Sequence, residues 1–437
     1  MLRPKQGSSW VLLFFVVLAE AGVPSNLDLK LLKEVTSDLR KNQAIAPFVM
    51  SSLMTQVWLG ARGGTKNEMT PVLGLSGPSD RSFLPAYMSA IDELSSGSRD
   101  VTTAVFNRIY LRNGLTFKLT FMALLRQYYG ADIKTFSSEA RAAAQINADV
   151  ARVTANRITD LISAQALRES GLVLVSALYF KGQWLKTFKR TVKGPFLTDA
   201  GEKQVDMMNQ YTVLPYIKKK TFDAIPLPYK DEDYVMLLLR PLTRDMAAVR
   251  RLRNSLGYLD IADIMRQLNR RQRVRVGMPR FKITADYSLK RTMKRLGIKK
   301  IFLPWADFGN ISDERLEVSE IVHKVFIEVT KEGTEAAGAG AVVFRRRSSA
   351  VRRTPRIVRF TLDRPFFAVL WHKKHKINLF SAYVASAVGL SHARGTSLPH
   401  SRGTAWLIGP SGQSRGRKTL TSLRLTRGAR SVPGPSQ

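Results

Sequence analysis

The chain of 437 residues contains no cysteine. That absence removes thiol nucleophiles, disulfide frameworks and cysteine metal sites together. Histidine is scarce, with five in all, and acid is short: 34 Asp and Glu face 69 Lys and Arg, a formal charge of +35. So large an excess asks for an acidic partner or surface and says nothing about fold. Nucleic acid, glycosaminoglycan and anionic membrane all satisfy it. Long apolar runs are missing too. After the N-terminus no stretch nears the roughly eighteen apolar residues of a membrane span, so no membrane-crossing helix is expected.

What is present begins with a leader. Arg3 and Lys5 precede an apolar run from Trp10 to Ala19, and Ala19-Glu20-Ala21 has the small-residue form of a cleavage site. This pattern predicts a secretory signal peptide over 1–21 and a secreted, extracellular mature chain. Outside the cell, sulfated polysaccharide displaces nucleic acid as the expected polyanion. Hydrophobic residues make up 44% of the chain, enough for a sizeable core without crosslinks. From 388 the composition changes: residues 388–437 hold eight Lys and Arg, no Asp or Glu, and many Gly, Ser, Pro and Thr. That segment reads as a basic, low-complexity, disordered tail.

Between leader and tail, helical periodicity dominates the first half. It predicts helices over 27–39, 51–61, 81–94, 117–129 and 146–162, with Gly63-Gly64 as a stop signal. Strands are expected at 42–46 and 101–111. Residues 172–180 are continuously apolar, the mark of a strand covered on both faces. Further strands are expected over 213–217, 224–227, 234–239, 273–283, 321–330, 366–371 and 377–384, with one helix over 287–296. Helices first and strands later predict an α+β fold.

One stretch stands apart. From Lys331 to Ser349 the chain passes through Ala, Gly and Val to Arg345-Arg346-Arg347 and two serines. As a strand it would place Thr334, Ala336, Gly338, Gly340 and Val342 on one face. All are small enough to slide into an existing sheet. No proline lies between Gly333 and Arg353, so every N–H can join a ladder.

Catalytic chemistry is not legible. The pair His372 and His375 lies in a turn between strands, without the Glu of a zinc-protease helix, and no metal site is read there. His323 stands alone on an apolar strand face. Gly74-Leu75-Ser76-Gly77 lacks the last glycine of a nucleophile elbow, and Asn67 follows Lys66 where a phosphate loop has a hydroxyl residue.

Several motifs stand in one order: Ala46-Pro47, Leu59-Gly60-Ala61-Arg62-Gly63, Tyr128-Tyr129-Gly130-Ala131-Asp132, Ser176-Ala177-Leu178-Tyr179-Phe180-Lys181-Gly182-Gln183-Trp184, Leu227-Pro228-Tyr229, Met278-Pro279-Arg280-Phe281, His323-Lys324, Glu332-Gly333-Thr334-Glu335-Ala336-Ala337 and Asp363-Arg364-Pro365-Phe366. In that order the chain resembles a serpin, over roughly 28–387 within a domain set at 22–387, and an invertebrate-like secreted member. The resemblance implies three β-sheets, about nine helices and an exposed reactive-centre loop over about 333–360. It implies a monomer without a catalytic site or resident cofactor that acts as a suicide substrate of a serine protease. In such proteins the cleaved loop enters the main sheet and traps the acyl-enzyme.

Counting from the hinge implies Arg347-Ser348 as the reactive bond and a trypsin-like protease as target. Arg345 and Arg346 would also suit a convertase, and Arg352-Arg353 is a second basic site. The implied hinge is Glu332, Gly333, Thr334, Glu335, Ala336, Ala337, Gly338 and Ala339. The implied sheet-opening region is Ala46, Val49, Ser176, His323 and Trp184. There the family's two serines and asparagine are replaced by Ala46, Val49 and Ser176, which leaves the partners of His323 in question and a non-inhibitory binding or carrier serpin as the alternative. A heparin-like activator is expected at Arg266, Arg270, Arg271, Arg273, Lys290, Arg291, Lys294 and Arg295, because 81–94, the family's usual helix for this, is not notably basic. Asn310-Ile311-Ser312 is a glycosylation sequon.

Overall fold

The computed structural model describes residues 22–168, 171–334, 357–387 and 392–393. The leader, the loop residues 335–356 and nearly all of the tail lie outside the described residues.

Ten α-helices are present among the described residues, against about nine expected. The first seven are α1 (Asp28–Val35), α2 (Pro47–Gly60), α3 (Gly63–Leu73), α4 (Leu84–Ser96), α5 (Leu119–Tyr129), α6 (Glu139–Val153) and α7 (Ala164–Leu167). Later come α8 (Met246–Ser255), α9 (Ile261–Gln267) and α10 (Lys290–Leu296). The early strands are β1 (Gln43–Ile45), β2 (Val101–Arg112), β3 (Ile133–Phe136) and β4 (Leu172–Gln183). Then follow β5 (Arg190–Thr198), β6 (Gly201–Pro215), β7 (Ile217–Lys218), β8 (Phe222–Pro228) and β9 (Tyr234–Pro241). The remainder are β10 (Arg271–Pro279), β11 (Phe281–Ser288), β12 (Val318–Val329), β13 (Gly333–Thr334), β14 (Val358–Thr361), β15 (Phe366–His372), β16 (Ile377–Val384) and β17 (His392–Ala393).

They form the three sheets expected. The main sheet has seven strands in the order β17-β11-β12-β13-β4-β2-β3, the second six in the order β1-β16-β15-β9-β8-β7, and the third four in the order β14-β10-β6-β5. Helix α2 lies between the first two, touching β2 and β4 on one side and β16 on the other. All fourteen of its residues are buried. A helix apolar all round has no stripe to mark its start, which is why it begins at Pro47 and not at 51. Pro47 is not a break: at the first helical position its missing N–H has no partner to lose. On the opposite face of the main sheet Ile146 and Val150 of α6 cluster with Val173 and Val175 of β4. Covered on both sides, β4 has the continuous apolar run that its sequence suggested.

Three further differences have physical reasons. Gly63 and Gly64 open α3 and do not simply end α2: Gly63 takes φ +48°, turning the chain so that a second helix can start. The single strand expected over 273–283 is two, because Pro279 offers no N–H to a ladder. Past it the chain leaves β6 and pairs with β12 instead. Strands β5 and β14, rich in polar and charged residues, had no clear alternation to show.

Candidate functional site

The site is a seam in the main sheet. Strands β4 and β12 run parallel and pair directly, His323 opposite Ser176 and Val325 opposite Leu178, down to Val318 opposite Leu172. Above that the two strands part, and β13 sits between them. Gly333 pairs with Gln183 and Thr334 with Gly182 on one side, and Thr334 pairs with Val329 on the other. Both pairings of β13 are antiparallel. The sheet is therefore closed along most of its length and wedged open at one end by two hinge residues.

Aromatic packing holds that end. Thr334 is fully buried, and its hydroxyl lies 2.7 Å from the Tyr229 hydroxyl. The Tyr229 ring stacks on Trp184 at 4.5 Å between centroids and meets Phe180 edge-on at 5.1 Å. Burial pushes the Tyr229 hydroxyl far above its ordinary pKa, so it stays a neutral partner for Thr334. Trp184 Nε1 donates to the Thr330 carbonyl at 3.0 Å. The Trp184 and Phe188 amides donate to the Glu332 and Lys331 carbonyls. Gly333 has no room for a side chain, since a Cβ there would collide with the Gly182 carbonyl. Gly182 is equally confined: its Cβ would stand 2.8 Å from the Tyr229 ring.

Halfway down the seam the bonding changes character. His323 is fully buried, and the backbone N–H of Ala46 donates to its Nε2 at 3.1 Å. Nδ1 therefore carries the proton and donates to Ser176 Oγ, 2.7 Å away. The Ser176 hydroxyl in turn points at Met50 Sδ, at 3.4 Å. Burial lowers the His323 pKa to about 3, so the ring is neutral in any physiological medium. Asn107, opposite Ser176 on β2, donates to the Val49 carbonyl at 3.2 Å, and its own Oδ1 has no partner among the described residues. Ala46 and Val49 thus act through their main chains. Asn107, expected within the strand over 101–111, and Met50, just ahead of the helix expected from 51, complete the cluster. An asparagine between Phe106 and Ile109 was the available signal for the first; nothing marked the second.

Of the hinge residues, Glu332, Gly333 and Thr334 are seated as described, while Glu335, Ala336, Ala337, Gly338 and Ala339 lie outside the described residues, as do Arg347 and Ser348. The basic residues divide. Lys290 reaches the Ser319 carbonyl, Lys290 and Lys294 both sit over the Phe302 ring, and Arg295 pairs with Glu34 at 2.7 Å. Arg266 pairs with Asp263. Arg271, Arg273 and Arg275 alternate along one exposed side of β10, and none makes an ion pair among the described residues. The amide nitrogen of Asn310 donates to the Leu59 and Ala61 carbonyls, both at 3.1 Å. Glycosylation at that nitrogen and this pair of bonds exclude each other.

The main sheet thus has a closed parallel seam whose two strands are parted at one end by a two-residue antiparallel strand. A family model described as serpin (serine protease inhibitor) matches residues 24–387, and the chain belongs to the serpin family. Serpins are protease inhibitors, not enzymes in the catalytic sense. Iripin-2 of the tick Ixodes ricinus is 33% identical over 351 residues, which is 77% of this chain and 86% of that one. Among solved structures, Serpin48 of the insect Tenebrio molitor superposes with a TM-score of 0.71 at 27% identity, covering 83% of this chain and 97% of that one. Native protease nexin-1, solved with heparin, gives 0.70 at 26% identity, covering 84% and 98%.

Proposed function

We propose that this chain is a secreted, monomeric suicide inhibitor of Arg-specific, trypsin-like serine proteases. The observation that carries the reading is β13, which supplies both a start and a register for an incoming strand. In an inserted strand that kept this register, each residue beyond Thr334 would move one residue back along both neighbours. Six residues on, Gly340 would meet Ser176 on β4 and His323 on β12, the pair that already face each other. Ten residues on, Phe344 would reach Leu172, the last residue of the β4 ladder in that direction, with Arg347 three positions past it. The incoming strand would replace one parallel ladder by two antiparallel ones, each slightly more stable per residue, and would seat Ala336, Gly338, Gly340 and Val342 on the Thr334 face.

In chemical terms, the protease serine attacks the Arg347 carbonyl, the Arg347–Ser348 bond breaks, and the Ser348 amine leaves with a proton. The acyl-enzyme ester, thirteen residues beyond Thr334, would then come to lie about 43 Å along the sheet from it at about 3.3–3.4 Å per residue, before water can hydrolyse it. Small residues at 338 and 340 suit passage past His323, and the neutral His323–Ser176 bond suits a seam that opens without separating charges. The Arg271–Arg273–Arg275 side of β10 is the surface best suited to a sulfated glycosaminoglycan.

Incubation with trypsin and a panel of Arg-specific proteases tests this reading. A complex that survives denaturing electrophoresis, lost in Arg347→Ala, with a released peptide beginning at Ser348, is the expected result. Cleavage without any complex and without a rise in melting temperature would favour a binding serpin that does not inhibit.

A further inference from the structure

The hairpin joining β15 to β16 carries His372 and His375, and the last turn of α4 brings Glu93 against both. Glu93 Oε2 lies 2.8 Å from His375 Nε2, and Oε1 lies 3.5 Å from His372 Nε2. One ligand atom from each residue falls within 4.8 Å of the other two. The His372 side chain is fully buried. Its Nδ1 faces the backbone N–H of His375 at 3.4 Å, which leaves Nε2 aimed at the carboxylate. That Nε2 has no hydrogen-bond partner among the described residues. The ring is held in place, edge to face with Tyr234 at 4.7 Å and near-parallel to His375 at 5.2 Å and 19°. The turn itself is pinned by the Lys373 N–H donating to the Asp233 carbonyl.

A plain ion-pair cluster accounts for part of this. Lys374 Nζ stands 2.5 Å from Glu93 Oε2, and a carboxylate shared by a lysine and a histidine needs nothing more. It does not account for a buried imidazole nitrogen aimed at the same carboxylate and left without a hydrogen bond. A cation between the three does. Ligand atoms about 2.0–2.2 Å from a tetrahedral zinc ion stand roughly 3.4 Å apart; the His372–Glu93 separation of 3.5 Å already matches this, and the His375–Glu93 hydrogen bond at 2.8 Å has to widen as the ion replaces its proton. Two neutral imidazoles with one carboxylate suit a borderline ion such as Zn2+ and leave one position to water. Lys374 is 62% exposed and free to swing away as the ion arrives.

We propose that Glu93, His372 and His375 form a Zn2+ site that fastens the end of α4 to the β15–β16 hairpin. The site joins positions about 280 residues apart, and its three side chains include no hinge or loop residue, so metal binding is read separately from inhibition.

The test is calorimetric titration of the metal-free full chain with zinc chloride, alongside melting curves and visible spectra of the Co2+-loaded protein. One equivalent should bind saturably, the melting temperature should climb with zinc, and the cobalt spectrum should be that of a tetrahedral site. Glu93→Gln, nearly isosteric, and His375→Ala should each weaken binding by more than the about 10–100-fold produced by losing an outer partner of a metal site. Lys374→Ala should tighten it by removing the competing ammonium. If His375→Ala fails to fold, Glu93→Gln decides, because its metal-free melting curve reports whether the fold is intact. No saturable binding, or binding unchanged in Glu93→Gln and so located at other histidines, overturns the proposal.

Discussion

The two parts of the seam between β4 and β12 are built differently. At the hinge end, Gly333 and Thr334 are packed by Trp184, Tyr229 and Phe180, and several backbone hydrogen bonds fix their register. In the middle, beyond the parallel ladder, one side-chain hydrogen bond between Ser176 and His323 crosses the seam. The hinge end tolerates little change, because backbone lies against backbone. The middle is a latch whose one side-chain catch is braced by the backbone N–H of Ala46, just ahead of α2. Under the proposed insertion, the hinge end would set the register of an incoming strand and the middle would resist opening.

Substitutions should separate the two roles. The largest effect is expected from Gly333→Val. Its side chain has nowhere to go but into the Gly182 carbonyl, and overpacking of this kind costs about 1–3 kcal/mol or more. Urea unfolding should show that loss, and protease complexes should vanish with it. Ser176→Ala comes next. It takes away the acceptor of His323 Nδ1–H without crowding the site, and an orphaned buried donor costs about 1–3 kcal/mol. The variant should melt lower than the parent while its loop is still cleaved at the same bond.

The smallest effect near neutrality is the pH response of the latch. His323 is held at about 3 when folded against an ordinary 6.5, so between those values the unfolded chain binds the extra proton. Its contribution to stability is complete above pH 6.5 and is lost as pH falls toward 3, by up to about 1.4 kcal/mol per pH unit. Melting curves across that range should flatten by about one proton in His323→Gln.

The same contrast explains what could be read from sequence. At the hinge end, Gly333 and Thr334 are contiguous in sequence and form β13 together, while the run of small residues after them lies outside the described residues. The strands of the seam were legible, since β4 is apolar throughout and β12 alternates. The latch was only half legible. His323 and Ser176 were singled out, but its second partner is the Ala46 backbone, and a main-chain donor leaves no trace in residue identity. The loss of the family's serines looked like a defect for that reason. The cluster of Glu93 with His372 and His375 was hidden differently. The histidines were noted in their turn, while their carboxylate sits on a helix far away in sequence.

The most direct test of the account is a disulfide across the seam. The chain has no cysteine of its own, so Ala177→Cys with Lys324→Cys, directly paired across β4 and β12, gives a single crosslink that thiols can release. The loop is cut by trypsin in the oxidised and in the reduced protein, and both are melted. If the seam must part for the loop to enter, the reduced protein melts higher after cleavage, while the oxidised protein gains nothing until it is reduced. An equal rise in both states, or none in either, would contradict the account.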